Sequence, residues 1–214
     1  MTATGLPEDE VSALAADPES PLVVVVVGTD FHPFDRLVDW VDEWCAKAPS
    51  NTSCFVQYGR SRPPRVAKGS PYLTHDELQA VMRRATAVVC HGGPATILEA
   101  RRSGHLPVCV ARDPARNEHV DRHQIDFVAR LSKDGWLRAA SSKESFVEQL
   151  EAALSTRPHL LEATEHIGSP ETSALPGAVA IFAGVVDELL ARGNARAFRR
   201  PWLRARQPPA IREP

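Results

Sequence analysis

Residues Leu22 to Val27 read LVVVVV, an unbroken apolar run that ends at Gly28. A strand with one wet face alternates apolar and polar residues, whereas a strand of a parallel sheet covered on both faces is apolar throughout. The run therefore predicts a central parallel strand, and the rest of the chain has to supply the layers that cover it.

The following sequence does so. Asp35 is placed to cap a helix running to about Lys47, with Leu37, Val38, Val41 and Trp44 on one face. Ser53 to Tyr58 reads as a second strand, followed by the loop GRSRPPR and a short extended piece ending at Leu73. Thr74 and Glu77 form a capping box for a helix to about Arg84, and Ala87 to Cys90 is another long strand. His91, Gly92 and Gly93 make a tight turn, Pro94 suits a first helical position, and that helix runs to Ser103 before Gly104. Leu106 to Val110 is the next strand. A polar loop then leads to a helix from about His119 to Asp134, and Trp136 to Ala139 is a last short strand. Ser141 and Glu144 suggest a capping box for a helix to about Leu154. Strands alternating with helices indicate βαβ units and an α/β fold with a parallel sheet. The segment from Thr164 to Pro176 is largely polar. Ala178, Ile181, Phe182, Val185 and Leu189 recur at helical spacing and predict a closing helix.

Three regions result: a flexible leader over residues 1–20, a domain over 21–193 and an arginine-rich tail over 194–214. The tail holds six arginines and one glutamate, a formal +5, while the whole chain carries −2. Charge is thus local, which excludes a globally basic nucleic-acid binder. Phe198, Trp202 and Leu203 among those arginines suit contact with anionic lipid or a partner; a solvated end is the alternative. Cys45, Cys54, Cys90 and Cys109 show neither CxxC nor metal-knuckle spacing, and a reducing compartment fits them. The opening MTATGLPEDE is acidic and polar, unlike a signal region, and no apolar run reaches the roughly 18 residues that cross a bilayer. The expectation is a soluble, cytoplasmic protein whose membrane contact is peripheral.

Ligands of open parallel sheets bind beyond the carboxyl ends of the strands. Here those ends are Gly28-Thr29, His91-Gly92-Gly93 and the loop leading to Glu118. In AVVCHGGPATILEA, two glycines allow close backbone approach, and the helix that follows offers unpaired N–H groups and a positive dipole end. This is a diphosphate cradle without lysine. It is neither a Walker loop nor the GxGxxG dinucleotide fingerprint. Close packing alone is the other reason for paired glycines. Glu99, six residues beyond Gly93, is placed to accept hydrogen bonds from a ribose diol; pairing with Arg102 in solvent is its alternative. His91 either donates to the diphosphate or is structural. His119 and His123 stand four apart on the expected helix, a zinc-compatible spacing, but the HExxH glutamate is absent and no third ligand is evident. No metal site is expected. Cys90 and His91, adjacent on a strand, point to opposite faces and do not form a nucleophile–base pair.

The pattern of strand, HGG, Thr96 and Glu99, followed by GHLPVCV and a loop ending in His123-Gln124, resembles the C-terminal domain of GT-B glycosyltransferases of family 28. VVVVVGTDFHPFDRLV and HGGPATILEARRSGHLP look like the small catalytic subunits of two-component UDP-sugar transferases acting on lipid-linked glycans or in exopolysaccharide synthesis. The resemblance covers Leu22 to Leu154. It implies a Rossmann-like parallel sheet forming the single donor-binding half of a GT-B fold, and no cofactor besides the UDP-sugar substrate. It places the diphosphate on Gly28, Thr29, Gly92, Gly93, Ala95 and Thr96, and the ribose on Glu99. Uracil falls near Tyr72 and Leu73, and the donor sugar on His123 and Gln124. His123 stands where many relatives carry Asp or Gln, which leaves GlcNAc, glucose and glucuronate open as donor sugars. No DxD pair occurs, so the metal-chelated diphosphate of the other major transferase fold is disfavoured.

A GT-B enzyme needs an acceptor half as well. The resemblance implies that this half, with the general base, belongs to a membrane-associated partner subunit, that the acceptor is polyprenyl-linked and that the reaction is an inverting hexosyl transfer at the inner face of the plasma membrane. The competing class is a catalytically silent nucleotide-sugar-binding regulatory subunit.

Overall fold

Along the first strand, Val23, Val25 and Val27 enter one apolar cluster while Leu22, Val24 and Val26 enter another. Successive side chains of a strand point to opposite faces, so the run is apolar throughout because both faces are covered. In this computed structural model residues 20–165 and Gly184 are described. The chain divides into two units, Met1–Leu175 and Pro176–Pro214, and the sheet and its helices belong to the first. The expected leader over residues 1–20 (apart from Ser20), the closing helix from Ala178 (apart from Gly184) and the arginine-rich tail lie outside the described residues.

The strands are β1 (Leu22–Val26), β2 (Ser53–Gln57), β3 (Lys68–Ser70), β4 (Ala87–His91), β5 (Val108–Val110) and β6 (Arg138–Ala139). All pair in parallel, in the order β3-β2-β1-β4-β5-β6. The helices are α1 (Asp35–Cys45), α2 (His75–Arg84), α3 (Pro94–Arg102), α4 (His123–Lys133) and α5 (Lys143–Glu165). One face of the sheet packs on Leu37, Val38, Val41 and Trp44 of α1 and on Phe146 and Leu150 of α5. The other packs on Val81 and Met82 of α2 and Ala100 of α3. Each fully buried Leu or Phe in these layers contributes about 1.5–3 kcal/mol relative to exposure. The α/β, Rossmann-like expectation holds.

Several element ends differ from expectation. Phe34, not Asp35, is the N-cap of α1, and Asp35 sits in its first turn. Asp35 accepts from the Arg62 backbone N–H at 2.8 Å, so the loop takes the carboxylate a cap would have used. The Thr74–Glu77 capping box forms as expected. The one before α5 is shifted by a residue: the Ser145 N–H donates to the Ser142 hydroxyl at 3.2 Å, and Ser142 N–H donates to Ser145 Oγ at 3.0 Å. That helix also runs past Leu154 to Glu165. The largest change is at α4, which starts at His123 instead of His119. Residues 114–116 form a 3-10 turn, Asn117 adopts φ 59°, and the chain does not become helical until Asp121 accepts from the His123 N–H at 2.9 Å.

Candidate functional site

β1 and β4 are neighbours in the sheet, yet β1 continues to β2 on one side and β4 to β5 on the other. This is a topological switch point, where the loops leaving two adjacent strands diverge and open a crevice. Those loops carry Gly28-Thr29 and His91-Gly92-Gly93.

The His91 imidazole is the floor of that crevice. Its Nδ1 lies 3.3 Å from the Val26 carbonyl, which can only accept, so Nδ1 carries the proton. A side chain on Gly28, at φ 83°, would meet the ring at 2.7 Å, and one on Gly93 would overlap it. The two glycines therefore let the backbone lie against both sides of one ring. Burial, and then the nearby Arg112 charge, push the His91 pKa down to about 4, which leaves the ring neutral. Gly93 is the N-cap of α3 and supplies no side-chain acceptor to the first-turn N–H groups, and Pro94 is at the start of the helix. Ala95 is exposed and Thr96 half-buried. The first turn thus presents donors and a positive dipole end to the crevice, suited to an anion.

Two side chains that sequence reasoning did not single out hold the neighbouring loops. Gln57, 3% exposed at the end of β2, accepts from the Gly28 N–H at 3.1 Å and donates to the Pro71 carbonyl at 2.9 Å. It joins the loop after β1 to the Pro71–Leu73 segment. Arg112, 1% exposed just after β5, donates to the carbonyls of Val27 (2.8 Å), His32 (2.6 Å) and Glu118 (3.1 Å). Glu118 is itself buried, pairs with Arg36 at 2.7 and 2.8 Å and accepts from the Asp113 N–H at 2.9 Å. Their sequence signal was a polar residue directly at the end of an apolar strand.

Of the other expected site residues, Tyr72 is 39% exposed, and its carbonyl accepts from the Ser70 hydroxyl at 2.8 Å; Leu73 is buried. Glu99 on α3 accepts from Gln79 of α2 at 3.2 Å and pairs with Arg102 at 3.0 Å. Gln124, in the first turn of α4, lies against the glycine turn, since a side chain on Gly92 would meet its Cβ at 3.1 Å. Its Oε1 is buried without a hydrogen-bond partner. His123 is turned to Asp121, with Nδ1 2.9 Å from Oδ2. Because α4 starts at His123, His119 and His123 are not one helical turn apart, and the zinc-compatible spacing is lost. His119 instead accepts from the Asp121 N–H at 3.3 Å. Among the described residues no group of three or more His, Cys, Asp or Glu is arranged to hold a metal ion. Cys90 Sγ is buried 3.1 Å from Cys109 Sγ, and burial pushes the Cys109 thiol up, so Cys109 is not an activated nucleophile.

On the opposite loop, Asp30 Oδ1 accepts from the His32 backbone N–H at 2.8 Å and from its Nδ1 at 2.7 Å. Burial acts to raise the Asp30 pKa, but those two bonds and the Arg112 charge outweigh it and hold the carboxyl below its ordinary range. The His32 ring lies against Phe31, with centroids 4.0 Å apart and planes tilted by 43°, and faces the His119 ring at 6.2 Å.

Among the described residues no helix is long and apolar enough to cross a membrane. No curated protein sequence matches the chain. Among solved structures, the spinosyn forosaminyltransferase SpnP is similar at a TM-score of 0.50 and 13% identity, over 84% of this chain and 48% of that one. The glycotransferase of kitacinnamycin matches at 0.49 and 17%, over 81% and 40%. The glycosyltransferase SnogD from Streptomyces nogalater matches at 0.45 and 15%, over 87% and 47%. At these identities the likeness is one of fold, and the chain spans less than half the length of these structures. The sequence model of the Glycosyltransferase family 28 C-terminal domain matches residues 22–175, and the chain belongs to that family.

Proposed function

We propose that this chain is the donor-binding catalytic subunit of a UDP-sugar-dependent hexosyltransferase, working on a polyprenyl-linked acceptor with a membrane-associated, acceptor-binding partner. The observation that carries this reading is the first turn of α3, uncapped behind Gly92-Gly93 and facing Gly28 across the switch point. In this reading the diphosphate lies on Gly28, Thr29, Gly92, Gly93, Ala95 and Thr96, with His91 shaping the floor of the cradle. Glu99 takes the ribose, the Tyr72–Leu73 backbone the uracil, and His123 with Gln124 the sugar hydroxyls. Negative charge that develops on the departing UDP meets preorganised N–H groups and the helix dipole, which act strongly where water is excluded. The subunit would work in the cytoplasm at the inner face of the plasma membrane, held there by its partner or by contact of its arginine-rich tail with anionic lipid. Family membership and the match to a sugar transferase fold support the transferase; the donor and acceptor classes rest on the resemblance of the GTDFHPFDRLV and HGGPATILEA motifs.

Calorimetric titration of the purified chain with UDP tests the site. Wild type should bind, and Gly93→Ala, which forces a Cβ onto the His91 ring, should weaken binding at least about tenfold, since about 1.4 kcal/mol suffices for that. A wild-type chain with no affinity for UDP ends this reading. UDP binding without transfer, once the partner and acceptor are supplied, would favour the regulatory-subunit alternative.

A further inference from the structure

The catalytic step needs a base for the acceptor hydroxyl, and the crevice already holds a pair built like one. Asp30 Oδ1 receives both the His32 backbone N–H and its ring Nδ1, at 2.8 and 2.7 Å. A carboxylate accepts only, so Nδ1 carries the proton and Nε2 is left with its lone pair. The ring and its backbone are each held. Asp30 holds one edge of the ring, the Phe31 ring lies against it with centroids 4.0 Å apart at a 43° tilt, and the His32 backbone carbonyl accepts from the buried Arg112 at 2.6 Å. It is nonetheless not sealed, since the His32 side chain keeps 18% of its surface exposed. The facing ring, His119, has its Nδ1 3.3 Å from the Asp121 backbone N and 3.4 Å from the Asp121 Oδ1. The two imidazoles lie 6.2 Å apart, one on the loop after β1 and one on the loop after β5. The groups around His32 are Asp30, Arg112, His119 and Phe31. His91 does not compete for the role, because its ring is held under the glycine turn and its pKa of about 4 makes it a poor base.

We propose that His32, oriented by Asp30, is the general base that deprotonates the acceptor hydroxyl, an inference that rests on the donor-site reading above. His32 Nε2 takes the acceptor O–H proton, and the oxygen's electron pair forms the new bond to C1 of the donor sugar. The bond from C1 to the diphosphate oxygen breaks, UDP leaves with that electron pair, and the proton passes from His32 to solvent. The base therefore lies on this chain, and the partner's task is to hold the acceptor.

The test compares wild type, His32→Gln and Asp30→Asn as full chains. UDP affinity is measured by calorimetry, and UDP release is followed from UDP-glucose, UDP-GlcNAc and UDP-glucuronate, with water or azide as the attacking group. Water must lose a proton to react and azide need not. His32→Gln should keep UDP affinity within about twofold and lose about 100-fold or more of the water reaction, the lower end for losing a general base. Its glycosyl azide formation should match that of wild type. Asp30→Asn should lose less of the water reaction and shift the His32 tautomer seen by imidazole nitrogen NMR. Unchanged hydrolysis in His32→Gln, an azide reaction lost in parallel with hydrolysis, or a protonated Nε2 on neutral His32 would each overturn the assignment. So would a wild-type chain that binds UDP but releases none from any of the three donors. A chain that fails to bind UDP sinks the donor reading, and this inference with it.

Discussion

Arg112 donates through Nη2 to the Val27 carbonyl at 2.8 Å, tying the segment after β5 to the end of β1 across the intervening strand β4. The same guanidinium takes the carbonyls of His32 and Glu118, so one buried cation sets the positions of the loops after β1 and after β5. Arg112→Met would leave three carbonyls without this donor, those of Val27 and Glu118 in buried positions. An unsatisfied buried polar group costs about 1–3 kcal/mol, and partial relaxation should bring the total to about 3 kcal/mol. Arg112→Lys should recover little, because an ammonium cannot reproduce the planar fork. Urea unfolding measures this directly. A midpoint unchanged in Arg112→Met would show that the loops are held by something else.

His91 gives the domain a pH dependence of defined sign. Its ordinary pKa of 6.5 applies in the unfolded chain, while burial and the Arg112 charge bring it to about 4 in the fold. Between those values the unfolded chain binds more protons than the folded one, so stability increases with pH. The stabilisation is complete above about pH 6.5 and is lost progressively as pH falls toward 4. Asp30 opposes the shift and His119 adds to it, so the comparison has to be made against a variant. Thermal melts of wild type and His91→Asn across pH 4 to 7 should show a smaller slope for the variant. Parallel slopes would mean that the ring is accessible to protons in the fold.

Most of the sheet was legible because its strands are apolar on both faces, a pattern that needs no tertiary knowledge. The HGG turn and Pro94 likewise fixed the start of α3 through local chemistry. The start of α4 was not legible. His119 to Arg122 has acceptable helix formers, but Arg112 and Arg36 hold Glu118 in the loop, a constraint from residues 6 and 82 positions away. Gln57 and Arg112 were missed for the same reason. Their importance comes from which carbonyls and amides lie opposite them in the folded sheet, and single-sequence periodicity carries no such information. The Asp30–His32 pair was visible as two residues in GTDFHPF, and only the backbone conformation showed that both bonds converge on one carboxylate oxygen.

Glu99 offers the sharpest test of the nucleoside end of the site. Its two oxygens are engaged by Gln79 at 3.2 Å and Arg102 at 3.0 Å. A ribose diol would have to share or displace the Gln79 amide, because the Arg102 bond follows from i,i+3 placement on one helix and persists. Exchange of one hydrogen bond for another lowers the net gain, so Glu99→Ala should weaken UDP toward the low end of the range of about 1.5–3 kcal/mol for bonds to charged groups. Gln79→Ala should have the opposite sign, since it removes the competitor and leaves the carboxylate free for the diol. The control is 3′-deoxy-UDP, which lacks one hydroxyl: the Glu99→Ala effect should shrink with this ligand, as coupled groups require. Calorimetry on the three proteins and two ligands gives all the terms. Equal losses with UDP and its deoxy analogue would mean that Glu99 acts by bracing α2 against α3 and does not touch the ribose.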